Sequence, residues 1–342
     1  MNLKQLSEHL QLSQTTVSRA LNGYPEVKEE TRRRVQKAAA ELNYAPNPRA
    51  KGLATGRAMA IGHVIPISIK HEMVNPVFGD FIAGAGETYS KAGFDLVMSV
   101  VSDLDEEKVY REIARKRSVD GMIVHGPKMD DPRIPLLQEL GLPFVVHGRA
   151  SLATTPYAWV DVNNQRAFDA ATSHLVELGH SRIALLNGPE SMDFAFRRRN
   201  GYIAALGRDG IEPDPRMMFS GEMTEQFGHE TAQALIHGDV SPTGYVVSSM
   251  IVAIGVRRAL QAHGLQMGRD VSLVTYDDDL SYLRNGAKDP IFTATRSSVR
   301  EAGVLSGQML LDMIASPLSP APNLLLETDL VIGSSSGPAP TS

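Results

Sequence analysis

The chain has 342 residues and no cysteine, so disulfides, thiolate metal sites and cysteine nucleophiles are excluded, and its length suggests two or three domains. A net charge of −5 argues at first against a nucleic-acid-binding protein, which is expected to be basic. However, residues 1–57 hold ten basic and five acidic side chains and carry +5, so the rest carries −10, which predicts a division of labour between a basic head and an acidic body.

Three short helices are predicted in the first 45 residues. Leucines at helical spacing indicate a helix over residues 3–10, a second runs from Ser13 or Gln14 to about Leu21, and a third spans about residues 29–42. The amino-terminal helix is amphipathic and lacks the continuous apolar run of a signal peptide. The longest apolar stretches elsewhere are too short to span a bilayer. These features predict a cytoplasmic protein with no membrane segment.

The outward face of the second helix carries small polar side chains and one arginine. Such side chains suit the major groove of DNA, because Gln bonds an adenine edge, Arg bonds a guanine edge and Thr meets the thymine methyl. A small helical domain with a solvated face accounts for the same helices equally well. The outward residues are Gln14, Thr15, Ser18 and Arg19.

Two strings decide between these interpretations. TTVSRALNG at 15–23 and TRRRVQKAAAELNYAPNPRAKGLATGR at 31–57 resemble the head of the LacI/GalR family of bacterial transcription repressors. The resemblance implies a helix-turn-helix DNA-binding domain over residues 1–45, with its second helix in the major groove. One departure is Gln11, at a turn position where the family often has Gly.

The same resemblance assigns roles to residues of the head. The base readers would be Gln14, Thr15 and Arg19. Residues that face phosphates or support the fold would be Thr16, Ser18, Asn22, Thr31, Tyr44 and Asn47.

Residues 46–58 form the predicted hinge. The resemblance implies a short helix that orders on DNA, contacts it through Ala50 and Leu53, and inserts Leu53 into the minor groove, a known way to kink a duplex. A plain linker is the alternative, which Gly52 and Gly56 favour.

The body alternates apolar strand-like runs with helix-compatible stretches, the pattern of parallel α/β sheets. Its size predicts two lobes, and strings such as VDVNNQRAF and VTYDDD are similar to the periplasmic-binding-protein-like body of the same family. The fold class expected is therefore a small all-α helix-turn-helix head plus an α/β body of two parallel-sheet lobes. The predicted bounds are a body over 59–333, lobe one over 60–158 and 293–320, lobe two over 161–290 and 323–333, and a disordered tail over 334–342.

Ligands of open α/β sheets bind beyond the carboxyl ends of the strands, so an effector cleft is expected between the lobes. The resemblance implies that Asp277 binds effector hydroxyls, although a solvated loop acid is the alternative, and that Arg198 reaches into the cleft. Ser248 stands where the family usually has Asn, and Met223 stands where several relatives place an aromatic side chain.

Two aromatic or imidazole positions of the first lobe complete the predicted pocket. Phe78 is a candidate stacking platform or a core residue, and His147 either faces the ligand or is a satisfied strand-end histidine. A zinc site at His125 and His147 would need further ligands, so neither a metal nor a cofactor is expected.

The preferred function is a homodimeric repressor of a carbohydrate uptake or utilisation operon, released from a palindromic operator by a small-molecule effector. The strings FVVHGR and YAWVDVNNQRAF resemble α-glucoside and α-galactoside regulators of alphaproteobacteria, which points to a sugar. Alternatives are an activator or a corepressor-dependent repressor that answers a non-sugar ligand, and a sugar-binding or sugar-processing α/β protein without a DNA role. The chain lacks the G-x-S-x-G elbow and the P-loop, so an enzyme is not expected.

Overall fold

A computed structural model describes most of the chain, namely residues 2–44, 57–66, 75–102, 105–316 and 321–340. The chain divides into two compact units, residues 1–59 and residues 60–342. Within the described ranges we find no helix with the length and apolarity that a bilayer crossing requires.

The first unit is a three-helix domain, as predicted, with helices α1 (Leu3–Leu10), α2 (Gln14–Leu21) and α3 (Glu29–Glu41). Asn2 caps α1 and Ser13 caps α2, and each side chain accepts a backbone N–H of the first helical turn. The three helices enclose a small apolar core formed by Leu6, Leu10, Val17, Ala20, Val27, Val35, Ala38 and Ala39.

The turn between α1 and α2 places Gln11 in the left-handed region, at φ 52° and ψ 40°. Its backbone N–H donates to the carbonyl of Glu8 and so ends α1. A side chain with a Cβ costs about 1 kcal/mol or more in this conformation. The departure from glycine at this position is therefore accommodated at the price of local strain.

The first lobe of the second unit contains a six-stranded parallel sheet in the order β11-β5-β4-β3-β1-β2. The strands are β1 (Ala60–Pro66), β2 (Asp95–Val101), β3 (Gly121–His125), β4 (Phe144–His147), β5 (Ala158–Val162) and β11 (Asn323–Leu326). The helices near this sheet are α4 (Pro76–Lys91), α5 (Glu106–Lys116), α6 (Arg133–Glu139) and α11 (Val299–Ala315).

The second lobe contains another six-stranded sheet in the order β12-β10-β9-β8-β6-β7, parallel except for the edge strand β12. The strands are β6 (Ile183–Asn187), β7 (Met218–Ser220), β8 (Gly244–Val247), β9 (Ser272–Asp277), β10 (Thr293–Arg296) and β12 (Asp329–Val331). The helices are α7 (Asn164–Glu177), α8 (Asp193–Arg208), α9 (Glu225–Ile236) and α10 (Met250–Ala262).

Both faces of the second sheet are covered, because helices α7 and α8 pack on one side and α9 and α10 on the other. This arrangement explains why β6, β8 and β9 are apolar runs without alternation. The α/β body with two parallel-dominated sheets confirms the predicted fold class.

The lobe boundaries differ from the prediction. Residues 293–296 were expected in lobe one, yet β10 pairs with β9 of the second sheet. Residues 323–326 were expected in lobe two, yet β11 pairs with β5 of the first sheet, and β5 itself continues to Val162. The reason is physical: each strand pairs along its whole length within one sheet, so the chain crosses between lobes only after the carboxyl end of the strand.

The predicted disordered tail is also wrong for residues 334–340, which pack against the second sheet. Ser335 is fully buried; its carbonyl accepts the N–H of Leu273, and its hydroxyl donates to the Leu273 carbonyl at 2.5 Å. Further along, the Gly337 carbonyl accepts from the hydroxyl of Ser272. The polar composition that suggested disorder serves instead to hydrogen-bond strand β9.

Candidate DNA interface and effector cleft

The outward face of α2 is open to solvent, as expected of a recognition helix. Gln14, Thr15 and Arg19 are exposed. A concave surface of about 300 Å³ lies beside them, between the starts of α2 and α3, and is lined by Ser13, Thr15, Thr16, Arg19, Glu26, Val27, Lys28 and Thr31. Hydroxyls and two cations thus line one surface of the head.

Three other predicted DNA-contacting residues, Thr16, Ser18 and Asn22, form hydrogen bonds at the ends of α2. The hydroxyl of Thr16 lies 2.8 Å from that of Ser13, the residue that caps the helix. The side-chain amide of Asn22 donates to the carbonyl of Ser18 at 2.9 Å. These contacts fix the two ends of α2, so the residues support the fold whether or not they also face phosphates.

The remaining predicted positions lie at the edge of the head or outside the described residues. Thr31 is half-buried near the start of α3. Tyr44 is half-buried against the apolar core, and burial raises the pKa of its hydroxyl. The predicted positions Asn47, Ala50 and Leu53 lie outside the described part of the chain.

The basic residues of the head divide into two groups. Arg32 and Arg33 pair with Glu29, and Arg34 donates to the carbonyl of Leu10 at 2.6 Å. By contrast, Arg19 and Lys28 on the concave surface form no ion pair or side-chain hydrogen bond with any residue of the described ranges. The arginine run of α3 therefore stabilises the head, and the cations open to a polyanion are on α2 and at the start of α3.

In the body, the carboxyl ends of the two sheets face one another. The N–H of Asp193, which follows β6, donates to the carbonyl of Pro127, which follows β3. Asp193 also accepts hydrogen bonds from the backbone N–H and the hydroxyl of Ser151, which follows β4. The N–H of Ser281, after β9, donates to Asp80 of α4 at 2.6 Å. Residues at these strand ends line the cleft between the lobes.

Arg198 of α8 is buried at this edge of the second sheet. Its Nε donates to the side-chain oxygen of Asn164, and its Nη1 donates to the backbone carbonyl of Ser248, each at 2.8 Å. The predicted residues Arg198 and Ser248 are therefore brought together. Three aromatic rings surround the guanidinium, with centroids 4.3–4.9 Å from its carbon, from Phe168, Phe194 and Tyr276.

A chain of polar contacts continues from Arg198 towards the first lobe. Asn164 donates to Asp161, the fourth residue of β5, at 3.4 Å. Asp161 in turn accepts from Nε of Arg149 at 2.6 Å, and Arg149 follows β4. This network spans the segment where the chain first crosses from one lobe to the other.

Asp277, the last residue of β9, and Asp278, which follows it, have different surroundings. Asp277 is buried, and its carboxylate accepts the N–H of Asp279 at 2.9 Å. Of these two aspartates, Asp278 is the one that interacts electrostatically with Arg198, as Asp161 of β5 also does. Burial raises the pKa of Asp278 to about 7, Arg198 opposes the rise and Asp277 adds to it. The structure thus places Asp278, one residue beyond the predicted Asp277, beside the cleft arginine.

Ser248 and Met223 both lie at the second-lobe side of this site. The hydroxyl of Ser248 is buried and has no hydrogen-bond partner among the described residues. Met223 is half-buried; a Cβ added to Gly188 would lie 2.8 Å from the Phe194 ring and 3.5 Å from the Met223 sulfur. Met223 and Phe194 therefore both lie beside Gly188, directly after the end of β6.

Phe78 and His147 belong to a cluster in the first lobe. Phe78 is buried, and its ring packs edge-on against His125 at 5.0 Å. His147 is half-buried and stacks on Phe81 at 4.2 Å. Burial lowers the pKa of His147 to about 4, so its ring is neutral at pH 7. Both predicted residues lie at the carboxyl edge of the first sheet, on the opposite side of the cleft from Arg198.

Comparison with known proteins decides the family. Residues 11–47 match the description "Bacterial regulatory proteins, lacI family", and residues 172–336 match "Periplasmic binding protein-like domain". The HTH-type transcriptional regulator AglR of Rhizobium meliloti (strain 1021) is 41% identical over 340 residues, which cover 99% of this chain and 95% of AglR. The chain belongs to the LacI family.

Solved structures of LacI-family proteins share this fold. The structure of the transcriptional regulator CelR in complex with cellobiose has a TM-score of 0.71 at 28% identity and covers 98% of this chain and 99% of its own. The Lac repressor dimer bound to operator and the anti-inducer ONPF has a TM-score of 0.85 at 26% identity, with the same coverage of 98% and 99%.

Three cleft residues were not predicted from the LacI-family resemblance. Asn164 was signalled by its place after β5, at a strand's carboxyl end. Phe194 precedes Arg198 by one helical turn, the spacing that puts two side chains on one face. Asp278 directly follows β9, the strand that carries Tyr276, and so lies at the carboxyl edge of the sheet near Arg198. In each case the signal was present but needed the element bounds.

Proposed function

We propose that the chain is a cytoplasmic, sequence-specific DNA-binding regulator, a homodimeric repressor that a neutral, polyhydroxylated effector releases from a palindromic operator. The observation that carries the proposal is the surroundings of Arg198. A buried cation and the nearby carboxyl group of Asp278 lie beside aromatic rings at the mouth of an α/β sheet, together with the hydroxyl of Ser248, which has no hydrogen-bond partner among the described residues. This set suits a sugar, which has hydroxyls for the polar groups and apolar ring faces for aromatic side chains.

The unpartnered hydroxyl of Ser248 is the most specific part of that set. A buried hydroxyl without a partner costs about 1–3 kcal/mol. An effector hydroxyl that bonds to it recovers this free energy on binding. CelR, whose structure contains cellobiose, supports a sugar as the effector class.

The DNA contacts we propose follow from the exposure of α2. Gln14, Thr15 and Arg19 read base edges, and residues around them contact phosphates. The phosphate and hinge contacts proposed are Thr16, Ser18, Asn22, Thr31, Tyr44, Asn47, Ala50 and Leu53. In a dimer the two recognition helices occupy successive major grooves, about 34 Å apart. The Lac repressor structure with a dimer on its operator supports this arrangement.

The cleft couples the two activities through the lobes. Contacts such as Ser151–Asp193 and Ser281–Asp80 join the lobes at their facing edges. An effector that binds one arrangement of the lobes better than the other shifts the population towards it, by an amount its differential affinity sets. We propose that this shift separates the hinges and releases the operator, and that the chain catalyses no reaction.

The experiment uses the full-length chain in two steps. A duplex is selected from a random library, and fluorescence anisotropy compares it with a scrambled duplex of equal composition. Maltose, melibiose and cellobiose are then added to the complex. We expect selection of a palindrome and release by at least one sugar; failure to select any specific duplex would overturn the proposal.

A matched pair of variants locates the effector carboxylate. We expect Asp278→Asn to weaken release by the active sugar at least tenfold while the affinity for the duplex is retained, because the structure places this group beside Arg198. If Asp277→Asn abolishes the response and Asp278→Asn does not, the assignment of Asp277 made from the family resemblance is the right one. The other pocket residues proposed are Phe78, His147, Arg198, Met223 and Ser248.

A further inference from the structure

Three polar side chains of the first lobe form a buried chain that ends at the cleft. His63, in the middle of β1, is fully buried. Its Nδ1 lies 2.8 Å from Nε2 of His125, and its Nε2 lies 3.3 Å from the hydroxyl of Tyr89 on α4. His125 is the last residue of β3 and is half-buried beside Phe78 and His147. The order is therefore Tyr89, His63, His125, cleft.

The imidazoles of His63 and His125 are both neutral at pH 7. Burial lowers the pKa of His63 to about 3. Burial also lowers the pKa of His125 well below its ordinary value, and the nearby His63, His147 and Arg133 add to the effect. A neutral imidazole carries one proton, so one nitrogen donates and the other accepts. Each ring in the chain must therefore point its single proton one way.

The direction of donation along these hydrogen bonds is set at the buried end, by the hydroxyl of Tyr89. His63 is the one hydrogen-bond partner that the Tyr89 hydroxyl has among the described residues. The hydroxyl must donate to Nε2 of His63, because otherwise its own proton is buried without an acceptor, at a cost of about 1–3 kcal/mol. The proton of His63 is then on Nδ1 and is donated to Nε2 of His125. The proton of His125 is consequently on Nδ1.

We propose that Tyr89 and His63 are positioning residues that fix the tautomer of His125, so that His125 presents its Nδ1–H to the cleft as a hydrogen-bond donor. This inference rests on the proposed function, which places the effector in that cleft. Within the described ranges Nδ1 of His125 has no hydrogen-bond partner. The ligand group it recognises is a neutral acceptor oxygen, such as a sugar hydroxyl or ring oxygen.

The deciding measurement is the tautomer of His125 in the effector-free protein. Full-length protein labelled with ¹⁵N-histidine reports by NMR which ring nitrogen carries the proton. We expect His125 of the wild type to be protonated at Nδ1. Tyr89→Phe removes the donor that sets the order, and it should convert His63 and His125 to mixtures of tautomers.

A matched control separates an effect on the tautomer of His125 from a general loss of packing. Tyr202→Phe removes another buried tyrosine hydroxyl, which donates to the carbonyl of Ile183 at 2.7 Å in the second lobe. We expect it to leave the nitrogen resonances of His125 unchanged. A wild-type His125 protonated at Nε2, or resonances that do not move in Tyr89→Phe, would overturn the proposal.

The affinity for sugar gives a second measurement, which would stay unchanged if Tyr89 had a purely structural role. By isothermal titration, whichever of maltose, melibiose and cellobiose binds the wild type should bind Tyr89→Phe about two- to tenfold more weakly, the worth of one neutral hydrogen bond. It should bind Tyr202→Phe unchanged; equal affinity for both variants would count against the proposal. If no sugar binds the wild type, the proposed function fails on its effector, while the NMR result still decides the tautomer.

Discussion

The carboxyl group of Asp278 couples the stability of the body to pH. Burial raises its pKa to about 7 in the folded chain, far above the ordinary value of 3.8. Between these two values the folded state binds more protons than the unfolded state, so the free energy of unfolding falls as pH rises. This contribution is fully present below about pH 4 and is lost as pH rises through 7.

Replacing this carboxyl group with an amide should remove that dependence. We expect Asp278→Asn to match the wild type below about pH 4 and to exceed its free energy of unfolding by roughly 4 kcal/mol at pH 8, since a pKa shift of one unit corresponds to about 1.4 kcal/mol. Urea denaturation at a series of pH values measures the difference. Asp312→Asn, at an exposed position of α11, serves as the control and should follow the wild type at every pH.

Residue-level prediction reaches as far as a motif places a side chain and stops where a strand end decides the direction of that side chain. The string RRRNGY holds three consecutive arginines, and the structure buries the middle one, Arg198, whose contact with an effector stays a prediction. The run of aspartates that begins at the end of β9 could not be resolved in the same way. Which of Asp277 and Asp278 faces Arg198 depends on the alternation along β9, and that requires the last residue of the strand.

Among the elements, α4 and α11 pack closely because glycines remove side chains from their contact. A Cβ added to Gly84 of α4 would lie 2.1 Å from the backbone carbonyl oxygen of Arg300 on α11. Because the obstacle is backbone, the helices themselves would have to separate. A Cβ on Gly86, two residues further along α4, meets no heavy atom within 4 Å.

These two glycines give a matched test of helix packing. We expect Gly84→Ala to lower the free energy of unfolding by about 2 kcal/mol, as overpacked sites do. Gly86→Ala should raise it by about 0.5–1 kcal/mol, because alanine favours the helix and limits the unfolded chain. Thermal denaturation of the two variants compares them directly; equal effects would mean that the close approach of α4 and α11 is wrong.

At the carboxyl terminus, Ser335 acts as an extension of the second sheet. Its hydroxyl donates to the Leu273 carbonyl and accepts the N–H of Thr293 at 2.8 Å, so it bridges β9 and β10. We expect Ser335→Ala to lower the free energy of unfolding by about 1–3 kcal/mol, because two buried backbone groups lose a partner. Ser334→Ala, at the exposed neighbour, should change it by less than about 0.5 kcal/mol in the same urea titration.

Element prediction from sequence depended on length. Apolar runs predict nine strands, and all are found with bounds within about two residues; the predicted runs are 60–67, 94–101, 120–125, 143–147, 158–162, 182–187, 244–249, 271–276 and 291–295. Strands β7, β11 and β12 and helix α6 were missed because three to seven residues are too few to show a period. The polar tail after Gly333 was mistaken for disorder, since composition does not reveal that its hydroxyls bond to buried strands.

On the scale of the whole molecule, the net charge of −5 is the sum of two opposite contributions. The basic head and the acidic body are separate compact units, so total charge says little about DNA binding. The three arginines of α3 form bonds within the head, whereas Arg19 and Lys28 of the concave surface have no ion-pair partner among the described residues. Only charges in contact with phosphates release counterions and set the salt dependence of binding.

Arg19 and Lys28 should therefore affect DNA binding in different ways. We expect Arg19→Gln to cost about 1–3 kcal/mol with the selected duplex and to relax its preference over the scrambled one, because the arginine reads base edges. Lys28→Gln should weaken both duplexes about equally and reduce the slope of log affinity against log salt by about one per subunit, as loss of one phosphate contact does. Anisotropy titrations at several salt concentrations measure both quantities. If Arg19→Gln weakens the two duplexes equally, α2 does not read bases through this residue.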